Sequence, residues 1–391
     1  MKYLRAGLKL TANTSASYQF HSGIAWIYAR LGQYLKAKKE CEQFLKKKKL
    51  IPKQELGLFY IIMGVALLSL NKLNEAISYF KKALDIREQL NDKKGMAACY
   101  LDMAVVYQQQ LNFILSEEYY KNALRLYEEI GYQMGITISL LDLGSLYFNY
   151  NLNKAEEYCM KALEIAKLIG AKRDLVFIYD NLGLIHLRRL MIDRAMEDFD
   201  LALRYAKETN FIEGLSFINV HLSELYRETK RLNHGLRHLK KAYSYAQRVK
   251  LSQYINDCMF EEIEYLLIKK DLKRARILVQ KLFKEFKDSA DRNRQILSYI
   301  YRGRILAASG DFKKAMADYE RALKAVIKLP DNLLAGEIYY FQGLSFKNQD
   351  RFEEAIQMFL KANEIFMKMG NLLYIDKIER EITSANISKR N

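Results

Sequence analysis

The chain has 391 residues, half of them hydrophobic, with 63 Lys and Arg against 46 Asp and Glu, a formal charge of +17. That much apolar material excludes a disordered chain. With only two prolines, Pro52 and Pro330, and no Gly/Ser-rich linker, the sequence favours one continuous body over several domains.

The basic excess is uneven: +9 within residues 1–60 and +9 within residues 225–300. Such blocks suit acidic partners without choosing among protein, nucleic acid and membrane surface. Lys2, Arg5 and Lys9 interrupt any signal-peptide core. The apolar, uncharged run 56–70 is too short to span a bilayer. Cys41, Cys99, Cys159 and Cys258 lie far apart with no CxxC pair. The expectation is a reduced, cytoplasmic protein with no cofactor, no metal and no membrane span.

Taken in chain order, residues 1–17 read as an N-terminal cap or partial repeat, because Tyr3 and Ala6 are spaced as in the second helix of the later units. Residues 18–365 then repeat. Aligning "MGVALLSLNKLNEAISYFKKAL" (63–84) with "LGSLYFNYNLNKAEEYCMKAL" (143–163) and "RGRILAASGDFKKAMADYERAL" (302–323) shows a small residue followed by Ala-x3-aromatic (or Cys)-x2-Ala. The first position of that pattern falls at Ala37, Ala76, Ser116, Ala155, Ala195, Gly235, Ala275, Ala315 and Ala355, at steps of 39 or 40. Nine units at a fixed period define a repeat architecture. Each holds two helical stretches around a short polar turn, and residues 366–391 read as a capping helix and tail.

The small residue of each first helix is Ala25, Gly64, Ala104, Gly144, Gly183, Ser223, Gly303 and Gly343 in the units that keep it. An interior Gly costs a helix about 1 kcal/mol relative to Ala, so something must offset it. Helical periodicity continues on both sides of Gly144, which excludes a strand-then-loop phosphate cradle. The expected reason is close packing against the second helix. Unit seven departs, with Ile263 and Leu282 where small residues belong.

These residues resemble the tetratricopeptide repeat (TPR) family, whose signature W-x2-L-G-x2-Y…A-x3-F is matched, apart from the Trp, by Leu140-x2-Leu143-Gly144-x2-Tyr147. The second half is matched by Ala76-x3-Phe80-x2-Ala83 and Ala355-x3-Phe359-x2-Ala362. The period of about 40 and the absence of most closing prolines are similar to the long-repeat branch, as in LGN-type and MalT-type TPR arrays. The resemblance implies an all-α fold, an α-solenoid (right-handed superhelix) of about nine TPR-like helix-turn-helix repeats with capping helices, forming a single solenoid over 1–391.

The resemblance also implies which first-helix positions face the inside of the superhelix. Carried over, they give a partner groove that includes Trp26, Ile61, Val65, Asp180, Asn181, Arg188, His221, Glu224, Arg227, Tyr301, Arg304 and Tyr340. Its early units are apolar and its middle units charged, which would suit an extended peptide or helix anchored at one end and clamped in the middle. Asn181 stands where the family grips a peptide backbone. Asp102, Asp142 and His221 replace Asn elsewhere, so a repeated Asn clamp is not expected.

No catalytic constellation emerges. His234 and His238 have i, i+4 ligand spacing but no assured third ligand, so a surface pair is expected. His186, Cys41 and Cys159 occupy packing positions. The Lys46–Lys49 run suits a helix C-terminus. The leading expectation is therefore a non-enzymatic protein- or peptide-binding scaffold, the regulatory or sensor arm of a signalling or transcription-control system. The alternative is a nucleic-acid-associated scaffold using the basic blocks 1–60 and 225–300, though no recognition motif is present to confer specificity. A peptide-sensing phosphatase or regulator like the Rap proteins ranks below both, because those carry an N-terminal effector bundle and this sequence enters its repeats almost at once.

Overall fold

The computed structural model describes residues 16–390, except 47, 251, 327, 328, 330 and 331. The expected N-terminal cap therefore lies almost wholly outside the described residues, as does Pro330.

Among the described residues the regular structure is helical throughout, with one 3₁₀ turn at Lys48–Leu50. The chain divides into two compact units, 1–139 and 140–391. The first contains α1 (Ala16–Arg30), α2 (Tyr34–Leu45), α3 (Lys53–Ser69), α4 (Leu73–Gln89), α5 (Lys93–Gln109), α6 (Phe113–Glu129) and the start of α7 (Gln133–Phe148). The second continues through α8 (Leu152–Leu168), α9 (Lys172–Arg188), α10 (Ile192–Glu208), α11 (Ile212–Glu228) and α12 (Leu232–Val249). It ends with α13 (Ser252–Ile268), α14 (Leu272–Phe286), α15 (Arg292–Ala308), α16 (Phe312–Val326), α17 (Leu333–Lys347), α18 (Phe352–Met369) and α19 (Leu372–Arg390). Odd-numbered helices up to α17 open a repeat, and even-numbered ones close it. No helix among the described residues is long and apolar enough to cross a membrane.

The helix ends follow one chemical rule. A residue with positive φ recurs every 20 positions, as at Asn71, Asn91, Leu111 and Gly131. After α3, the Asn71 N–H donates to the Leu68 carbonyl (3.0 Å) and the Lys72 N–H to that of Leu67 (2.8 Å). This left-handed cap satisfies carbonyls that the helix leaves open. The next helix then starts, in several repeats, on a side-chain cap: Asp92 accepts from the Gly95 N–H, and Asn151 from that of Lys154.

Within a repeat, the small residue and the aromatic residue are one device. A Cβ added at Gly64 would lie 2.3 Å from the Phe80 ring, and one at Gly303 would lie 2.6 Å from Tyr319. At Gly144 the neighbours are the Cys159 sulfur at 2.7 Å and the Ala155 carbonyl oxygen at 3.3 Å. The residue four after the repeat's first Ala thus fills the slot that the small residue leaves. The third repeat has Ala104 instead, and there Ser116 Oγ donates to the Ala104 carbonyl (3.0 Å). In the degenerate seventh repeat Ile263 and Leu282 are both fully buried, so bulk replaces close approach.

The second unit closes on itself. The Leu333 N–H, at the start of α17, donates to the Asn149 carbonyl just after α7 (2.9 Å). The capping helix α19 returns to contact α9. The opening helices of repeats five to nine, together with α19, therefore surround an interior.

Candidate functional site

That interior is a cavity of about 290 Å³. Its wall is a network of ion pairs, each joining the opening helices of neighbouring repeats. Arg188 Nη2 on α9 donates to Glu224 Oε1 on α11 (2.7 Å). Arg227 on α11 reaches α13, where Nε and Nη2 donate to the two Glu261 oxygens at 3.1 and 3.3 Å. Arg304 on α15 forks onto Glu264 on α13, with Nη2 donating to Oε2 at 2.7 Å and Nη1 to Oε1.

The capping helix completes the ring. Lys377 Nζ pairs with Glu228 Oε2 on α11 (2.7 Å), and Glu228 also accepts from Arg227 Nη1 (2.7 Å). Tyr374 Oη donates to Glu337 Oε1 on α17 (2.8 Å). Lys347 Nζ donates to Glu381 Oε2 (2.6 Å). Arg304 also lies over Phe341, its guanidinium carbon 4.1 Å from the ring centroid, a cation–π contact.

Burial alone would raise the Glu264 carboxyl, but Arg304 and Arg227 hold it well below the usual carboxylate range. Glu224 behaves likewise: burial opposes ionisation, and Arg188, Arg227 and His221 outweigh it. Glu337 goes the other way. Burial raises its pKa, and the Tyr374 hydroxyl, Arg188 and Arg304 only partly oppose the rise. The cavity wall therefore holds two firmly ionised carboxylates and a third that takes a proton more readily.

Of the residues expected in a groove, Arg188, Glu224, Arg227, Tyr301, Arg304 and Tyr340 line this cavity. Asp180, Asn181 and His221 stand outside its lining and are engaged locally. His221 Nδ1 and Asp180 Oδ1 are 2.8 Å apart; burial would lower the imidazole pKa, but Asp180 raises it. Asn181 Nδ2 donates to Ser145 Oγ (2.8 Å), so it serves a neighbouring repeat. Trp26, Ile61 and Val65 belong to the first unit, where Trp26 is 38% exposed and the other two are half-buried.

Sequence reasoning missed Glu228, Glu337, Tyr374 and Lys377. The signal available was the polar face of the capping helix, Tyr374, Lys377 and Glu381 at spacings of three and four.

The other candidates resolve as packing or surface. All four cysteines are buried free thiols, and burial pushes those of Cys99, Cys159 and Cys258 up to about 12. His186 is buried with Nδ1 2.6 Å from Asp198. His234 and His238 stack on Tyr226, and no metal-capable cluster exists among the described residues. Lys46, Lys48 and Lys49 are exposed after α2, as are Lys240, Lys241, Lys269 and Lys270 of the second basic block.

The fold defines a helical solenoid, and comparison with known proteins specifies its repeats. The tetratricopeptide repeat family profile matches residues 55–129 and again residues 302–368, so the chain carries tetratricopeptide-type repeats in both units. No curated protein sequence matches the chain.

Among solved structures, the chain is similar to NprR in complex with its cognate peptide NprX, at 11% identity and a TM-score of 0.62, covering 83% of this chain and 90% of that one. It is similar to a Rap protein complexed with competence and sporulation factor (13% identity, TM-score 0.54, covering 96% and 87%). A third is aspartyl phosphate phosphatase F from Bacillus subtilis (15% identity, TM-score 0.54, covering 81% and 95%). At such identities the likeness is one of fold.

Proposed function

We propose that the chain is a non-enzymatic, peptide-binding regulatory scaffold, and that the cavity of its second unit is the binding site. One observation carries this reading: the opening helices of repeats five to eight turn a series of buried ion pairs toward one cavity. Burying charge costs several kcal/mol per ion, and pairing seldom repays it better than apolar packing would. A network of this kind contributes little to stability and fits recognition, where fixed donors and acceptors select the ligand. The reading gains support from NprR, a protein of the same fold, which holds a peptide. We further read the array as the long-repeat, LGN-like or MalT-like branch of its family, working in the cytoplasm on a protein or peptide with acidic groups.

The test is capture of a synthetic random peptide pool on the immobilised full chain at high salt. The expected result is a defined retained subset that disappears when Arg304→Met and Glu264→Leu together replace one clamp by apolar side chains. Retention of no peptide, with capture of DNA or RNA offered separately at low salt and lost on adding salt, would instead assign function to the exposed lysines.

A further inference from the structure

The turns between the two helices of a repeat line one edge of the second unit. Arg189, in the turn of repeat five, reaches the turn of repeat four, where its Nη2 donates to Asn153 Oδ1 (2.6 Å). Along this edge repeats five to seven carry cations that nothing neutralises. Lys230, Arg231, Lys269, Lys270, Lys273 and Arg276 are exposed, and none has an ion-pair partner among the described residues. The acids nearest in sequence are already used. Asp271 caps α14 by accepting from the Arg274 N–H (3.2 Å), and Glu228 is held by Arg227 and Lys377. Asp193 at the start of α10 is an exposed exception, with Arg194 next to it. The opposite edge, where closing helices turn into opening ones, is built otherwise: Lys172 pairs with Glu208 (2.9 Å), and Arg294 lies 3.6 Å from Asp257.

Three aliphatic side chains stand exposed among these cations: Leu190 at 42%, Ile268 at 48% and Ile277 at 61%. Leu190 holds φ at +58° in the turn of repeat five, where repeats six to eight have Lys230, Lys270 and Gly310. A left-handed leucine is strained, and an exposed one recovers little by packing. Ile277 takes the outward position that Glu118, Glu157, Glu197 and Arg237 hold in other repeats, all of them exposed. The segment 268–277, IKKDLKRARI, thus has an isoleucine at each end and five cations between. These six cations and three aliphatic residues all lie outside the cavity lining.

The combination selects among anionic partners. A nucleic acid would satisfy the cations through its phosphates and leave the aliphatic tips in water. Protein interfaces deplete lysine and favour aromatic residues, whereas this edge is rich in lysine and has no aromatic residue within 188–194, 228–233 or 268–277. An anionic bilayer offers both complements in one plane, charged headgroups lying over an acyl boundary. We propose that the turn edge of repeats five to seven attaches peripherally to an anionic lipid surface. The lysines and arginines meet the headgroups, and Leu190, Ile268 and Ile277 enter the boundary beneath. The proposal goes beyond the peptide reading and does not depend on what the cavity holds.

The experiment is co-sedimentation of the full chain with vesicles of phosphatidylcholine alone and of phosphatidylcholine with about 30% phosphatidylserine, in about 0.15 M salt. The expected result is binding to the second and not to the first. Lys269→Ala, Lys270→Ala and Lys273→Ala together should weaken it about 100-fold, since each cation near an anionic leaflet contributes a factor of about five. Lys46→Ala, Lys48→Ala and Lys49→Ala, which remove the same charge from the first basic block, should change it less than about twofold. Leu190→Asn with Ile277→Ser should weaken it about tenfold or more without lowering the melting temperature.

Binding to serine-containing vesicles no stronger than to neutral ones would overturn the proposal. Equal losses from the two lysine triples would also overturn it, by reducing the effect to net charge. Vesicle binding indifferent to Leu190→Asn and Ile277→Ser would remove the aliphatic contact and with it the reason for a bilayer. Duplex DNA or RNA bound through Lys269, Lys270 and Lys273, with vesicles ignored, would assign the edge to phosphate backbones instead.

Discussion

The two units are built from the same repeat and face inward differently. In the first, the positions expected to face inward carry Trp26, Ile61, Val65, Leu68, Leu101 and Val105, and of these Val65 and Leu68 pack against the core around Phe59, Phe80 and Met63. In the second, equivalent positions carry Arg188, Glu224, Arg227, Glu264 and Arg304, in pairs. The small-residue and aromatic slot is shared, as Gly64 with Phe80 and Gly303 with Tyr319 show. The scaffold therefore fixes where inward side chains stand and leaves their chemistry free. Apolar inward residues suit packing as well as binding, whereas buried ion pairs are poor stabilisers, and the proposed binding site rests on that difference.

The contrast breaks most visibly at Arg304. Arg304→Ala leaves Glu264 buried without its partner and should destabilise the second unit by about 3–5 kcal/mol. Arg304→Met combined with Glu264→Leu should stay near wild-type stability; chemical denaturation measures both. If the single variant were as stable as the double, the network would not be a buried one.

In the first unit the corresponding polar exception is Asp102 on α5, which burial pushes up to about 7. Its folded pKa lies above the unfolded value of about 3.9. Its contribution to stability is therefore full below about pH 4 and is lost as pH rises through about 7. Asp102→Asn should raise stability at pH 8 by about 2–4 kcal/mol, because a tenfold change in proton affinity is worth about 1.36 kcal/mol, and should change little at pH 4. Thermal melts at the two values check the sign.

A smaller effect tests the shared slot. Gly64→Ala would place a methyl against the fully buried Phe80 ring and should cost about 1–3 kcal/mol by overpacking. A melt unchanged from wild type would show that the ring yields freely. The smallest expected effect is at a turn. Leu190 holds φ at +58°, and Leu190→Gly should be neutral to stabilising by up to about 1 kcal/mol.

Much of this was legible in the sequence because it is local. The 40-residue period, the turns and the packing role of Gly144 follow from spacing alone, and Arg188, Arg227 and Arg304 stand out by their place beside or after the small residue. What was not legible is closure. Glu228 meets Lys377, Glu337 meets Tyr374, and Leu333 meets Asn149 only because the second unit curves back on itself. No periodicity encodes contacts between segments so distant in sequence. Asn181 shows the reverse difficulty: its position pointed to a peptide backbone, and its side chain hydrogen-bonds Ser145. The fold neighbours include a Rap protein, the class ranked lowest from the sequence. That ranking turned on where the repeats begin, whereas the likeness to that structure covers 96% of this chain.

The most direct measurement is hydrogen exchange on the full chain with and without the captured peptides. The account predicts slowed exchange in α9, α11, α13, α15, α17 and α19, with residues 16–139 unchanged. Protection confined to 16–139, around Trp26, Ile61 and Val65, would contradict it and move the binding site to the apolar unit.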